Sequence, residues 1–268
     1  MTTDPSEYID LTVTELEYHV AQMERDMDDL AVAFLATFLL DGSTLINTSA
    51  NYEHANQSDS VFDEAYKTFI MAFLIYLGQK IIDGAVLTVA DFSSRGIQPV
   101  GNEAKLVGRM IGFVDGKVVK GGYLSTLGRM SVLRDYFHKY IVSAISSAQK
   151  MNQFLKNVKP IFISTDKAKS AFSSYYGKYA YDSLQQATNS IALYIADQRN
   201  LTHYEYHGGL VKNSRPFCIE HHGQIFDRED AARFDEQDWR GKIPNVPFLI
   251  AVGGWQCFHT IKWLPNTK

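Results

Sequence analysis

Cysteine is scarce in this chain: Cys218 and Cys257 are the only two among 268 residues. Two thiols cannot build a disulfide framework. The opening "MTTDPSEYIDLTVTEL" has no basic stretch leading into an apolar one, so a signal peptide is not expected and a reducing compartment is. Positive charge is not in excess either. With 26 Lys and Arg against 30 Asp and Glu, the net charge is −4, which excludes the global electrostatics of a bulk nucleic-acid binder. The most apolar run, "FIMAFLIYLG" from Phe69 to Gly78, falls well short of the roughly 20 residues that cross a bilayer, so it is expected to be a buried helix and no membrane partner is expected. Signatures of chemistry are missing as well: there is no GxSxG, no HExxH and no catalytic-cysteine context. "GKVVKGG" lacks the strand, helix and Ser/Thr of a phosphate loop, which removes a nucleotide site.

What remains is a chain of ordinary globular composition, 46% apolar and 21% charged, and long enough to bury a sizeable core unaided. Its patterning predicts an α+β fold, a mostly helical body over 1–200 followed by a small C-terminal module of short strands and turns over 201–268. Long helices are expected near 12–40, 59–83, 125–157 and 166–200. In the first, Leu16, Val20, Met23, Met27, Leu30 and Phe34 step by four and three like a heptad, which suits a bundle helix or a partner-binding one. Thr12 or Thr14 is expected to cap it and "DGS" at 41–43 to stop it. Residues 44–58 read as a loop, and Ser60 with Asp63 as the capped start of the second helix. The stretch 84–124 is glycine-rich, with Asp115-Gly116 between apolar runs as a hairpin signal. "KPIFIST" reads as extended, and Tyr175, Tyr176, Tyr179 and Tyr181 cluster on the fourth helix. In the module, "LTHYEYHGGLVKNSRPF" reads as strand, Gly-Gly turn and extended segment, "DREDAARF" as one or two helical turns, and "VPFLIAVGGWQCFHTIKWLP" as strand, turn and strand.

The chemistry-bearing residues gather in that module. "RPFCIEHHGQIF" and "GGWQCFH" hold both cysteines and three of the eight histidines. Cys218 and His222 are four apart, and Cys257 and His259 share a face if 255–261 is a strand. Two thiolates and two imidazoles in a tetrahedron make a structural zinc site that would staple two distant segments. The alternatives are small buried cysteines with locally bonded histidines, or a disulfide. A catalytic alternative gathers Arg215, Glu220, His221, His222 and His259 into a phosphodiester-cleaving site, with the histidines as acid and base and the arginine on the phosphate. Arg215 also offers a structural role, its planar fork satisfying backbone carbonyls. Gly223, Gly253 and Gly254 are expected at positive φ or at close backbone approaches, with Trp239, Trp255 and Trp263 supplying apolar mass.

"YEYHGGLVKNSRPFCIEHHGQIFDRED", "WRGK" and "GGWQCFHTIKWLP" together resemble the C-terminal module of phage minor head proteins of the Mu F-like family. That module is similar in its tyrosine-rich strand, its Thr/Ser-Arg-Pro-x-Cys/His segment, its Gly-Lys-x-Phe turn and its closing Gly-Gly-Tyr-Asn-Cys-Arg-Cys/His. Ser214, Arg215, Pro216 and Cys218 match the first signature, Gly223 and Phe226 the turn, and Gly253, Gly254, Cys257 and His259 the close. Val211, Gln256 and Phe258 depart from it, standing where an aspartate, an asparagine and an arginine are usual. The resemblance covers about 201–268. It implies a non-enzymatic virion protein in several copies near the portal, present in host cytoplasm during assembly. Its implied partners are the portal and other head proteins, with contact to packaged DNA, and its implied work is head assembly and DNA packaging or ejection.

Overall fold

Apolar residues at helical spacing decide most of the architecture. The computed structural model describes residues 5–266, and about 62% of it is helical with a few short antiparallel strands, a mostly helical α+β fold as the patterning predicts. Helix α1 (Pro5–Leu35) buries Leu16, Val20, Met23, Met27, Ala31 and Leu35. Leu30 and Phe34 are only half-buried, because the line of contact drifts off the heptad onto the 3.6-residue period of a straight helix. Neither expected cap is one: Thr12 is buried within α1, and the Thr14 hydroxyl donates to the Asp10 carbonyl one turn back.

"DGS" forms a hairpin turn between β1 (Leu40–Asp41) and β2 (Thr44–Leu45), with Gly42 at φ +59°. The expected loop at 44–58 holds a helix instead, α2 (Ser49–Ala55), started by the Thr48 side chain accepting from the Asn51 N–H. Next come α3 (Asp59–Ala65), a π-helical turn Tyr66–Ile70 and α4 (Met71–Ser94). Ser60 lies inside α3 rather than capping it. Helix α4 passes the expected end at 83 because Gly84 does not break it. A Cβ there would stand 3.2 Å from the Tyr8 ring, so the glycine lets an aromatic lie against the helix. By length and composition the helical stretch Ser49–Ser94 is apolar enough to cross a membrane; within it Ile70, Phe73, Leu74, Leu77 and Ile81 are buried in protein.

Helix α5 (Glu103–Ile111) precedes the hairpin β3 (Phe113–Val114) and β4 (Lys117–Val118), whose Asp115 and Gly116 both take positive φ, as a tight two-residue turn requires. The helix expected over 125–157 is three: α6 (Tyr123–Gly128), α7 (Ser131–Ser146) and α8 (Met151–Phe162). The breaks fall at Met130 and Ala148, both left-handed. "KPIF" belongs to α8, so the extended backbone begins only at Ile163. Helix α9 (Ala171–Gln198) follows.

The remaining elements are β5 (His203–Gly208), α10 (Pro216–His221), β6 (Ile225–Asp227), α11 (Arg228–Glu236), α12 (Phe248–Ala251) and β7 (His259–Trp263). The strands form one antiparallel sheet in the order β6-β5-β7. Tyr206 pairs with Ile261 and Tyr204 with Phe226 and Trp263, and strand alternation turns Tyr204 and Tyr206 inward. "VPFLIAV" is not the strand its composition suggests: Pro247 ends extended and its carbonyl accepts from Ile250 and Ala251, which winds α12. Two compact units result. One gathers residues up to 14, 77–116 and 178 onward, the other 15–76 and 117–177. The unit that holds the 201–266 region thus also takes in α5 and α9 from Lys178.

Candidate metal centre

Three elements of one unit bring the sulfurs together. Helix α10 opens at Pro216 directly after the extended Arg215, and its first full turn points Cys218 inward. The turn 253–257 delivers Cys257, and β7 begins at His259 two residues on. Cys218 Sγ and Cys257 Sγ stand 3.7 Å apart as free thiols, and Cys257 Sγ lies 3.6 Å from His259 Nδ1. The three side chains are 3%, 2% and 1% exposed, and their donor atoms all lie within 4.8 Å of one another. Cys218, Cys257 and His259 therefore form a group that could hold a metal ion.

The distances test that statement. A tetrahedral ion with metal–sulfur bonds near 2.3 Å and metal–nitrogen bonds near 2.05 Å sets a sulfur–sulfur edge of about 3.8 Å and a sulfur–nitrogen edge of about 3.6 Å. Both edges present here match. The thiols also respond to each other. The bond with Cys257 pulls the Cys218 pKa well down, against burial and with help from His259 and Tyr206. The same bond, with burial, pushes Cys257 up. Deprotonation of the pair thus falls first on Cys218, and a thiolate is the form that binds a cation.

His222, expected as the fourth ligand, is placed elsewhere. Helix α10 ends at His221, and the exposed His222 ring sits with its Nδ1 3.1 Å from His259 Nε2. That nitrogen is on the opposite edge of the imidazole from the one facing the sulfur, so His222 bonds a candidate ligand without facing the ion's position. The catalytic grouping of Arg215 with the histidines is not assembled as expected. Arg215 donates to the carbonyls of Gly253 (3.4 Å) and Trp255, the structural role its fork allows. His221 Nδ1 is tied to the Phe217 carbonyl at 2.7 Å and its ring lies among Phe217, Phe226 and Phe234. Glu220 is exposed on α10.

The remaining motif residues build the cradle. Ser214 Oγ accepts from the Val211 N–H at 2.8 Å and closes the turn before Arg215. Gly223 follows α10 at φ +72°, its N–H reaching the Tyr206 carbonyl, and Phe226 pairs across from Tyr204. Trp239 donates its indole N–H to the Gly253 carbonyl and stacks on Phe217 at 4.1 Å. Gly254, at φ +94°, lies against the Gly241 backbone, while Trp255 stacks under the Lys178 ammonium at 4.0 Å.

Four residues of α9 that the sequence reading did not single out for the site hold its second segment. Tyr181 donates to the Cys257 carbonyl at 2.7 Å, and Gln185 donates to the carbonyls of Cys257 and His259. Asn189 accepts from the Ile261 N–H and donates to the Ile250 carbonyl. Asp182 Oδ1 accepts from the Gln256 N–H at 2.7 Å, while Oδ2 is buried without a partner. Burial pushes the Asp182 pKa up to about 6, against the Gln256 N–H and the charges of Lys178 and Arg215. The signal in the sequence was the polar i, i+4, i+8 line Tyr181, Gln185, Asn189 along one side of the helix. Tyr206 was also passed over as a site residue, and its hydroxyl lies 3.2 Å from Cys218 Sγ and 3.6 Å from Cys257 Sγ.

The chain is thus a mostly helical α+β protein with a buried two-cysteine, one-histidine centre. No protein-family model, no curated protein and no solved structure matches it.

Proposed function

We propose that this chain is a non-enzymatic minor head protein of a phage, associated with the portal and serving head assembly and DNA packaging or ejection, and that its C-terminal region is stapled by a structural zinc ion. The observation that carries the reading is that Cys218, Cys257 and His259, the cysteines and closing histidine of the runs Ser214-Arg215-Pro216-x-Cys218 and Gly253-Gly254-x-x-Cys257-x-His259 on which the Mu F-like resemblance rests, meet at one buried centre. A buried centre whose thiols and imidazole face one another suits a staple, not an open reaction site. The engagement of Arg215 with two backbone carbonyls supports the non-enzymatic reading over phosphodiester cleavage, which needs that guanidinium on a phosphate. Zinc fits better than magnesium or calcium because two thiol sulfurs and an imidazole nitrogen suit zinc and, among the described residues, no carboxylate joins the group. An acidic chain at −4 suits a protein partner over bulk DNA.

Two measurements test the two halves of the proposal. Native mass spectrometry is expected to find one zinc per chain, absent from both Cys218→Ser and Cys257→Ser; wild-type protein without metal would remove the staple. Co-purification with the portal protein of the same phage is expected to recover a stable complex, and its failure would remove the head-protein reading.

A further inference from the structure

Resting on the metal reading above, we propose that the fourth ligand of the centre is the phenol oxygen of Tyr206, making the donor set Cys218, Cys257, His259 and Tyr206, with His222 outside it as the residue that orients His259. Three ligands leave one vertex of a tetrahedron to fill. Among the described residues no further His, Cys, Asp or Glu joins the group. Tyr206 Oη stands 3.2 Å and 3.6 Å from the two sulfurs, against the edge of about 3.6 Å that a ligand oxygen would share with a ligand sulfur. The residue is fully buried in the middle strand of the sheet, and its ring stacks on His259 with centroids 4.4 Å apart. Its oxygen is therefore fixed beside both sulfurs, and its ring against His259, before any ion arrives.

Gly253 shows from the backbone side that these atoms flank one point. A Cβ on it would lie 2.5 Å from Cys257 Sγ, 2.6 Å from Tyr206 Oη and 2.7 Å from Cys218 Sγ. The two sulfurs and the phenol thus converge on the same small volume, kept open on that side by a residue with no side chain. His222 cannot take the vertex where it stands, because it occupies the other nitrogen of His259. On binding, the Tyr206 O–H bond and the S–H bonds still present on Cys218 and Cys257 break, their protons pass to solvent, and one oxygen–metal, two sulfur–metal and one nitrogen–metal bonds form; no electron is transferred.

The test uses the full chain, stripped of metal and titrated with zinc while metal content and the near-ultraviolet tyrosinate band are followed together. The expected result is a band from one tyrosinate that grows in step with zinc and saturates at one ion per chain. Tyr206→Phe keeps the ring and its stacking and is expected to abolish the band. His222→Ala is expected to keep the band while zinc affinity falls by about 10–100-fold, as for an orienting neighbour of a ligand. Zinc bound at one per chain with no tyrosinate band would overturn the assignment, whatever the fold of the variants. A band that survives Tyr206→Phe would do the same, since the chain has 14 other tyrosines of its 15. If the wild type binds no zinc at all, the staple itself is removed, a result read from metal content and not from the spectrum.

Discussion

Gly253 illustrates how little room a residue can have. Its backbone does not need positive φ, yet a methyl group there would press on two sulfurs and a phenol at 2.5–2.7 Å. Gly253→Ala is expected to cost about 1–3 kcal/mol through overpacking. It should also weaken metal binding, both readable by thermal unfolding with and without zinc. Asp182 makes the opposite kind of demand, a carboxyl buried with one oxygen unsatisfied. Its pKa is raised from its usual value to about 6, so between roughly pH 4 and pH 6 the folded state binds more protons than the unfolded one. By linkage, its contribution to stability falls as pH rises through that window, by on the order of 3 kcal/mol in all. Asp182→Asn keeps an oxygen for the Gln256 N–H and has no charge to bury. Its stability is expected to exceed the wild type's above pH 6 and to lose this part of the slope, measured by urea unfolding across pH.

At the scale of elements, α9 does what a sheet neighbour would otherwise do. Gln185 and Asn189 satisfy backbone groups of Cys257, His259, Ile261 and Ile250 that no strand pairs. Truncating Gln185 takes this partner from the His259 carbonyl, and truncating Asn189 takes it from the Ile250 carbonyl and the Ile261 N–H, so Asn189→Ala and Gln185→Ala are each expected to cost about 1–3 kcal/mol in chemical denaturation. Helix α11 opens on a local device: Asp227 accepts from the Asp230 N–H while Asp230 answers the Asp227 N–H, a reciprocal cap. Asp227→Ala should cost about 1 kcal/mol. Ser60 with Asp63 had the spacing of a cap and formed none, because α3 had already begun at Asp59 after Ser58.

For the whole molecule, an ion bound only by the folded state stabilises it by mass action. Free zinc at a hundredfold above its Kd is expected to add about 2.7 kcal/mol, seen as a rise in Tm that a chelator reverses. Local patterning already determined much of what surrounds that site. The 3.6-residue periodicity marks the long helices, Asp115-Gly116 its hairpin, the Tyr204/Tyr206 alternation its strand, and the Gly253-Gly254 pair the turn that presents Cys257. These are short-range choices, set by sterics, spacing and turn chemistry within a few residues. Three outcomes were decided only by tertiary structure: that Cys218 and Cys257, 39 residues apart, stand at 3.7 Å, that His222 turns to the far nitrogen of His259 while Tyr206 faces the sulfurs, and that "VPFLIAV" winds into a helix. Each depends on which buried polar group finds which partner across the fold, and the spacing of residues along a chain does not encode that choice.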